Sequence, residues 1–160
     1  MEQWASYFTA TTSASAALAG LIFVSVSLNL KKILSIKYLP GRAMGSLALL
    51  TNILIISSLC LVPQQTFFWL GIEILMLGAT LWIIITRRHV NMFKNIEKEY
   101  KYYYLQNMFL TQLSAVPYLI AGVCLILKYD WGLYCLIPGI TFSFIKSLID
   151  SWVLLVEINR

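Results

Sequence analysis

Apolar residues fall in five long runs, and the lysines, arginines, prolines and paired polar residues gather in the short stretches between them. A helix needs about 20 predominantly apolar residues to cross a hydrocarbon layer of ~30 Å at 1.5 Å per residue, and each run reaches that length. The pattern predicts transmembrane helices over about residues 9–30, 41–62, 66–87, 105–127 and 131–157. The fold class expected is all-α, a polytopic helix bundle forming one integral membrane domain over residues 1–160.

The first run, TATTSASAALAGLIFVSVSLNL, is rich in small and hydroxyl-bearing residues. Ser13 with Ala17, and Ala16 with Gly20, are small pairs four apart, the spacing that lets helix backbones approach closely in lipid. Thr11, Ser15, Leu18, Ile22, Ser25 and Asn29 follow steps of three and four and share another face. That stripe has two readings, helix packing or the wall of a narrow conduit, and in the second Ser15, Ile22, Ser25 and Asn29 line the pore. After it, KKILSIKYLPGR reads as a basic loop in which Pro40 and Gly41 break the helix before the second span. That span opens with GRAMG and closes at Pro63, and the uncharged Pro63 to Thr66 forms a tight hairpin.

The third run starts with Phe67, Phe68 and Trp69, an interfacial aromatic cluster, and carries Glu73 inside it. An intramembrane carboxyl group needs a proton, a partner or a water-filled cavity; Gly71 and Gly78 would let another helix come close beside it. Residues 89–104 are the only sizeable polar segment, and Met92, Ile96, Tyr100 and Tyr103 at helical steps predict a cytoplasmic amphipathic helix there, continuing into the cytoplasm or lying on the headgroups. The fourth run concentrates Gln106, Asn107, Thr111, Gln112 and Ser114 before Pro117, with Asn107, Thr111 and Ser114 on one face. The fifth, WGLYCLIPGITFSFIKSLIDSWVLLVE, contains Lys146 and Asp150 four apart, flanked by Ser143 and Ser147. Glu73, Asn107, Thr111, Lys146 and Asp150 are therefore expected to form a polar seam turned toward protein, with Lys146 bridging either Asp150 one turn away or Glu73 at an axial offset of roughly 10 Å.

Composition agrees with a membrane class: 59% of the 160 residues are hydrophobic and only 12% charged, against about 25% in soluble domains. The basic residues outnumber the acidic ones 12 to 7, but they lie in short inter-span segments and form no surface for nucleic acid. Lys31, Lys32, Lys37 and Arg42 follow the first span, and Arg87, Arg88, Lys94, Lys98 and Lys101 follow the third. Only Lys128 follows the fourth and none follows the second, so the positive-inside rule places the N-terminus outside and the C-terminus inside. Trp4, Trp69 and Trp131 then share the outer interface. The start MEQWASYF lacks a basic n-region, so the first run reads as a retained span. Cys60, Cys124 and Cys135 have no metal or disulfide spacing and read as small apolar filler, with a bridge as the alternative because each falls near the same membrane face; His89 beside two arginines reads as a membrane-surface residue. No nucleophile with a histidine base, phosphate loop or ligand cluster is present in the sequence, so neither enzymatic activity nor a cofactor nor a metal is expected.

The segments AGLIFVSVSLNL, LPGRA, LVPQQ, LGIE, GLYCLIPG and SWVLLVEI, spread over nearly the whole chain, resemble a family of small, largely uncharacterised bacterial multi-span membrane proteins. Some of its members carry the label of modulator of the FtsH membrane protease. The resemblance implies a multi-pass protein of the bacterial inner (cytoplasmic) membrane. Locally, SAALAGLIFVSVSLNL is similar in pattern to the pore-lining first helix of Orai calcium channels. Aligned at Gly20, the narrow hydrophobic position falls on Val24 and the selectivity glutamate on Leu28, so calcium selectivity is not implied. The functional expectation is a homo-oligomeric integral membrane protein with an ion-conducting pore lined by its first helix. The alternative is a non-conducting interaction protein that modulates a membrane partner such as a protease.

Overall fold

A computed structural model describes residues 2–36, 39–93 and 101–159. They form six α-helices: α1 Glu2–Leu28, α2 Leu30–Ser35, α3 Leu39–Leu59, α4 Phe67–Phe93, α5 Lys101–Ile126 and α6 Leu136–Asn159, with a 3₁₀ helix Asp130–Cys135 before α6. No strand occurs among the described residues. Five segments are long and apolar enough to cross a membrane: Trp4–Leu28, Leu39–Leu59, Phe67–Val90, Leu105–Ile126 and Trp131–Val156. Large apolar side chains such as Leu28, Met76, Phe109 and Trp152 face outward, an arrangement costly in water and natural in oil.

The helix ends differ from the sequence expectations in physically simple ways. α1 starts at Glu2 rather than near residue 9, because a helix continuing beyond the hydrocarbon keeps its backbone bonds whatever its side chains. The basic loop after it contains a short helix, α2, which buries Ile33. Pro40 does not break a helix but lies in the first turn of α3, where its missing N–H has no helical acceptor to lose. Pro138 lies in the first turn of α6 for the same reason. The amphipathic helix expected over 89–104 centres on residues 94–100, outside the described residues; residues 89–93 end α4 and 101–104 begin α5.

The chain divides into two compact units, Met1–Pro63 with Phe144–Arg160, and Gln64–Ser143. In the first, α1 packs along α3, and Thr11 Oγ1 is hydrogen-bonded at 2.9 Å to Ser57 Oγ. Ile33, Leu39, Ala43 and Leu154 form a buried cluster that joins α2, α3 and α6. α3 and α6 are tied by a reciprocal pair: Ser46 Oγ donates to the Ser147 carbonyl and Ser147 Oγ to the Ser46 carbonyl, each at 3.1 Å. Two short side chains each reaching the other backbone require close helix approach.

In the second unit α4 and α5 pack through glycines. A Cβ on Gly71 would lie 2.8 Å from the Ile126 nitrogen and 2.9 Å from the Gly122 oxygen, and one on Gly122 would lie 2.8 Å from the Leu75 Cβ. α5 ends in a Schellman turn: Tyr129 N–H bonds to Cys124 O at 2.9 Å and Lys128 N–H to Leu125 O at 3.0 Å. Lys128 takes the left-handed conformation, φ 59°, that this turn ordinarily gives to glycine.

Candidate functional site

The densest polar constellation in the first unit is built on α6. Its Lys146 and Asp150, one turn apart, point to the same side as Ser147, and all three are buried. Lys146 Nζ donates to Asp150 Oδ2. From α3, Arg42 Nη1 lies 3.8 Å from Asp150 Oδ1, which has no hydrogen-bond partner. The carboxylate thus faces two cations: a fully enclosed lysine deeper along α6 and an arginine whose side chain is 32% exposed. Arg42 belongs to this cluster although the sequence places it at the end of the basic loop KKILSIKYLPGR. Its reach comes from the Ser46–Ser147 contact one turn further in, which holds α3 and α6 close enough for the guanidinium to approach.

Of the two partners weighed for Lys146, Asp150 receives its hydrogen bond. Glu73 is half-buried and is met from its own unit: Gln65 Nε2, in the segment just before α4, donates to Glu73 Oε2. A partner in a connecting segment leaves no helical spacing in the sequence to detect. Thr111 is buried with Oγ1 donating to the Asn107 carbonyl at 2.8 Å, so α5 satisfies this hydroxyl itself. Ser143 Oγ lies 3.2 Å from Tyr118 Oη and donates weakly, at 3.4 Å, to the Ser114 carbonyl. Gln112 bridges two α4 residues, accepting from Trp82 Nε1 at 2.7 Å and donating to Thr86 Oγ1 at 3.0 Å.

Of the four residues expected to line a pore, Ser15, Ile22 and Ser25 lie on one face of α1, which turns into the first unit, and Asn29 lies just past its end as the N-cap of α2. Ser15 is wholly buried and Ile22 nearly so, while Ser25 and Asn29 are half-buried. Ser15 Oγ donates to the Thr12 carbonyl and Asn29 Nδ2 to the Ser25 carbonyl. The opposite face carries its own steps of three and four: Ser6, Thr9, Ser13, Ala16, Gly20, Val24 and Ser27, all exposed. A Cβ added at Gly20 would meet nothing within 4 Å. The first span is the least buried of the five.

Comparison with protein families, with curated proteins and with solved structures returned no match. The class of the molecule therefore rests on its own construction: five apolar helices of membrane-spanning length make it a helical multi-pass membrane protein.

Proposed function

We propose that this protein is a homo-oligomeric integral membrane protein of the bacterial inner membrane, with its N-terminus outside, in which copies meet through the outward face of α1. The observation that carries the reading is the exposure of Ser13, Ala16, Ala17 and Gly20 on the least buried of the five spans. Hydrocarbon gains nothing from small side chains, whereas a second helix gains close backbone approach and van der Waals contact. In such an assembly the groups nearest the symmetry axis are Thr9, Ser13, Ala16 and Gly20, with hydroxyls toward one end. An ion-conducting path along that axis runs over these side chains, while Ser15 and Ile22 support it from behind.

The mass of the protein in mild detergent tests the contact. Wild type runs as an oligomer, and Gly20→Ile or Ala16→Leu shifts it toward monomer; a monomeric wild type, or variants of unchanged mass, removes the reading. Single-channel currents in planar bilayers test the path: Ser13→Asp alters conductance and ion preference if ions pass along α1. The alternative reading, capture of a membrane partner through the polar seam, must compete with bonds already made within the chain by Lys146, Asp150, Ser46 and Ser147. It predicts a second protein co-purifying in fixed proportion and no conductance.

A further inference from the structure

The first unit contains an apolar groove of about 200 Å³ between α1 and α6, closed at one end by α2. Ile22, Ile33 and Leu154 form its buried floor, and Leu21, Leu148 and Leu155, each about half exposed or more, form its lips. From Leu148 to Leu155 the groove follows the axis of α6 for roughly 10 Å, and it runs along the helices rather than across them. It therefore lies close to the membrane normal and spans much of one leaflet, whose apolar depth is about half of ~30 Å. At its α2 end the chain leaves the apolar span, and the residues just before Ile33 are Lys31 and Lys32, both exposed.

Depth, direction and charge together select an occupant. A slot parallel to the acyl chains, with two exposed lysines next in the chain to the Ile33 of its floor, matches a lipid whose tail enters the slot and whose phosphate is met by the lysines. A second copy of this chain fits less well, since its own Lys31 and Lys32 would arrive at the same level. The groove also uses the Ile22 flank of α1, while the small-residue face bearing Ser13 and Gly20 is on the opposite side. We propose that this groove holds one acyl chain of an anionic phospholipid from the leaflet on the α2 side, with the headgroup phosphate bound by Lys31 and Lys32.

The test is native mass spectrometry of delipidated full-length protein titrated with phosphatidylglycerol or phosphatidylcholine of identical acyl chains. One phosphatidylglycerol per protomer binds at concentrations where phosphatidylcholine does not. Lys31→Gln and Lys32→Gln each weaken that binding roughly fivefold and leave phosphatidylcholine unaffected. Leu148→Trp and Leu155→Trp, at the half-exposed lips, fill the slot and remove tight binding of phosphatidylglycerol. The lysine variants lie outside the packed core, so they decide the matter even where a tryptophan variant does not fold. Equal retention of the two lipids by wild type, or a phosphatidylglycerol preference that survives the lysine changes, overturns the proposal. So does loss of self-association in Leu155→Trp with lipid binding intact, which would put a protein in the groove instead.

Discussion

Replacing Asp150 by asparagine should be the most damaging single change in the polar seam, and the reason is an asymmetry in its partners. Asp150 is the shared anion of Lys146, which is enclosed, and of Arg42 at 3.8 Å. Asp150→Asn leaves two neighbouring cations and no anion, and unpairing a buried charge costs about 3–5 kcal/mol. Lys146→Met leaves a carboxylate that still has Arg42. Two charges ~4 Å apart attract by about 4 kcal/mol at an effective dielectric near 20, and water screening cuts this to ~1 kcal/mol for partly exposed pairs. With 32% of the Arg42 side chain exposed, the residual pair keeps a fraction of the original stabilisation, so Lys146→Met should cost about 1–3 kcal/mol, less than the loss of the acid. The double variant removes both ions of the enclosed pair and should be milder than the sum of the singles by about 1–3 kcal/mol. Reversible unfolding by sodium dodecyl sulfate in mixed micelles, followed by circular dichroism, measures all three. A loss below about 1 kcal/mol for Asp150→Asn, or single effects that add to the double within ~0.5 kcal/mol, would refute the reasoning.

Other outcomes follow from particular contacts. Gly122→Val sets a Cβ against the backbone of α4 at Leu75 and should lower stability by about 1–3 kcal/mol or more in the same unfolding assay. Gly20→Val, with open space around it, should leave monomer stability within about 0.5 kcal/mol while reducing oligomer mass. Lys128→Gly relieves a left-handed non-glycine residue and should raise stability by about 0.5–1 kcal/mol in the unfolding midpoint. Ser46→Ala and Ser147→Ala each remove one of two reciprocal bonds and should cost about 0.6 kcal/mol apiece, the typical value for interhelical bonds in membranes.

The spans were legible because hydropathy over some twenty residues is a summed signal that survives local exceptions. Their ends were less so: α2 contributes one buried residue, Ile33, too little periodicity to stand out within KKILSIKYLPGR. In the seam, the Lys146–Asp150 pair follows from one-turn spacing on a single helix. Arg42 and Gln65 do not, because each reaches its acid across a separation that only packing or a turn supplies. On α1 the sequence offers two stripes of small and hydroxyl residues on opposite faces, and periodicity cannot rank them. The choice is made by α3, against which Thr11 meets Ser57 and Ser15 is enclosed. The small pairs Ser13/Ala17 and Ala16/Gly20 remain on the exposed side.

The crossed serine bonds between α3 and α6 also index the two helices like the teeth of a key. Sliding α6 by one turn, about 5.4 Å, would bring Ser143 or Ser151 to the level of Ser46, but it would carry Asp150 out of range of Arg42. Offsets of less than a turn leave neither serine opposite its partner, and the Arg42–Asp150 contact is what tells the present setting from its neighbours one turn away. A joint tilt of α3 and α6 keeps the contacts around the enclosed charges, whereas slippage of one past the other gives up the Arg42–Asp150 contact.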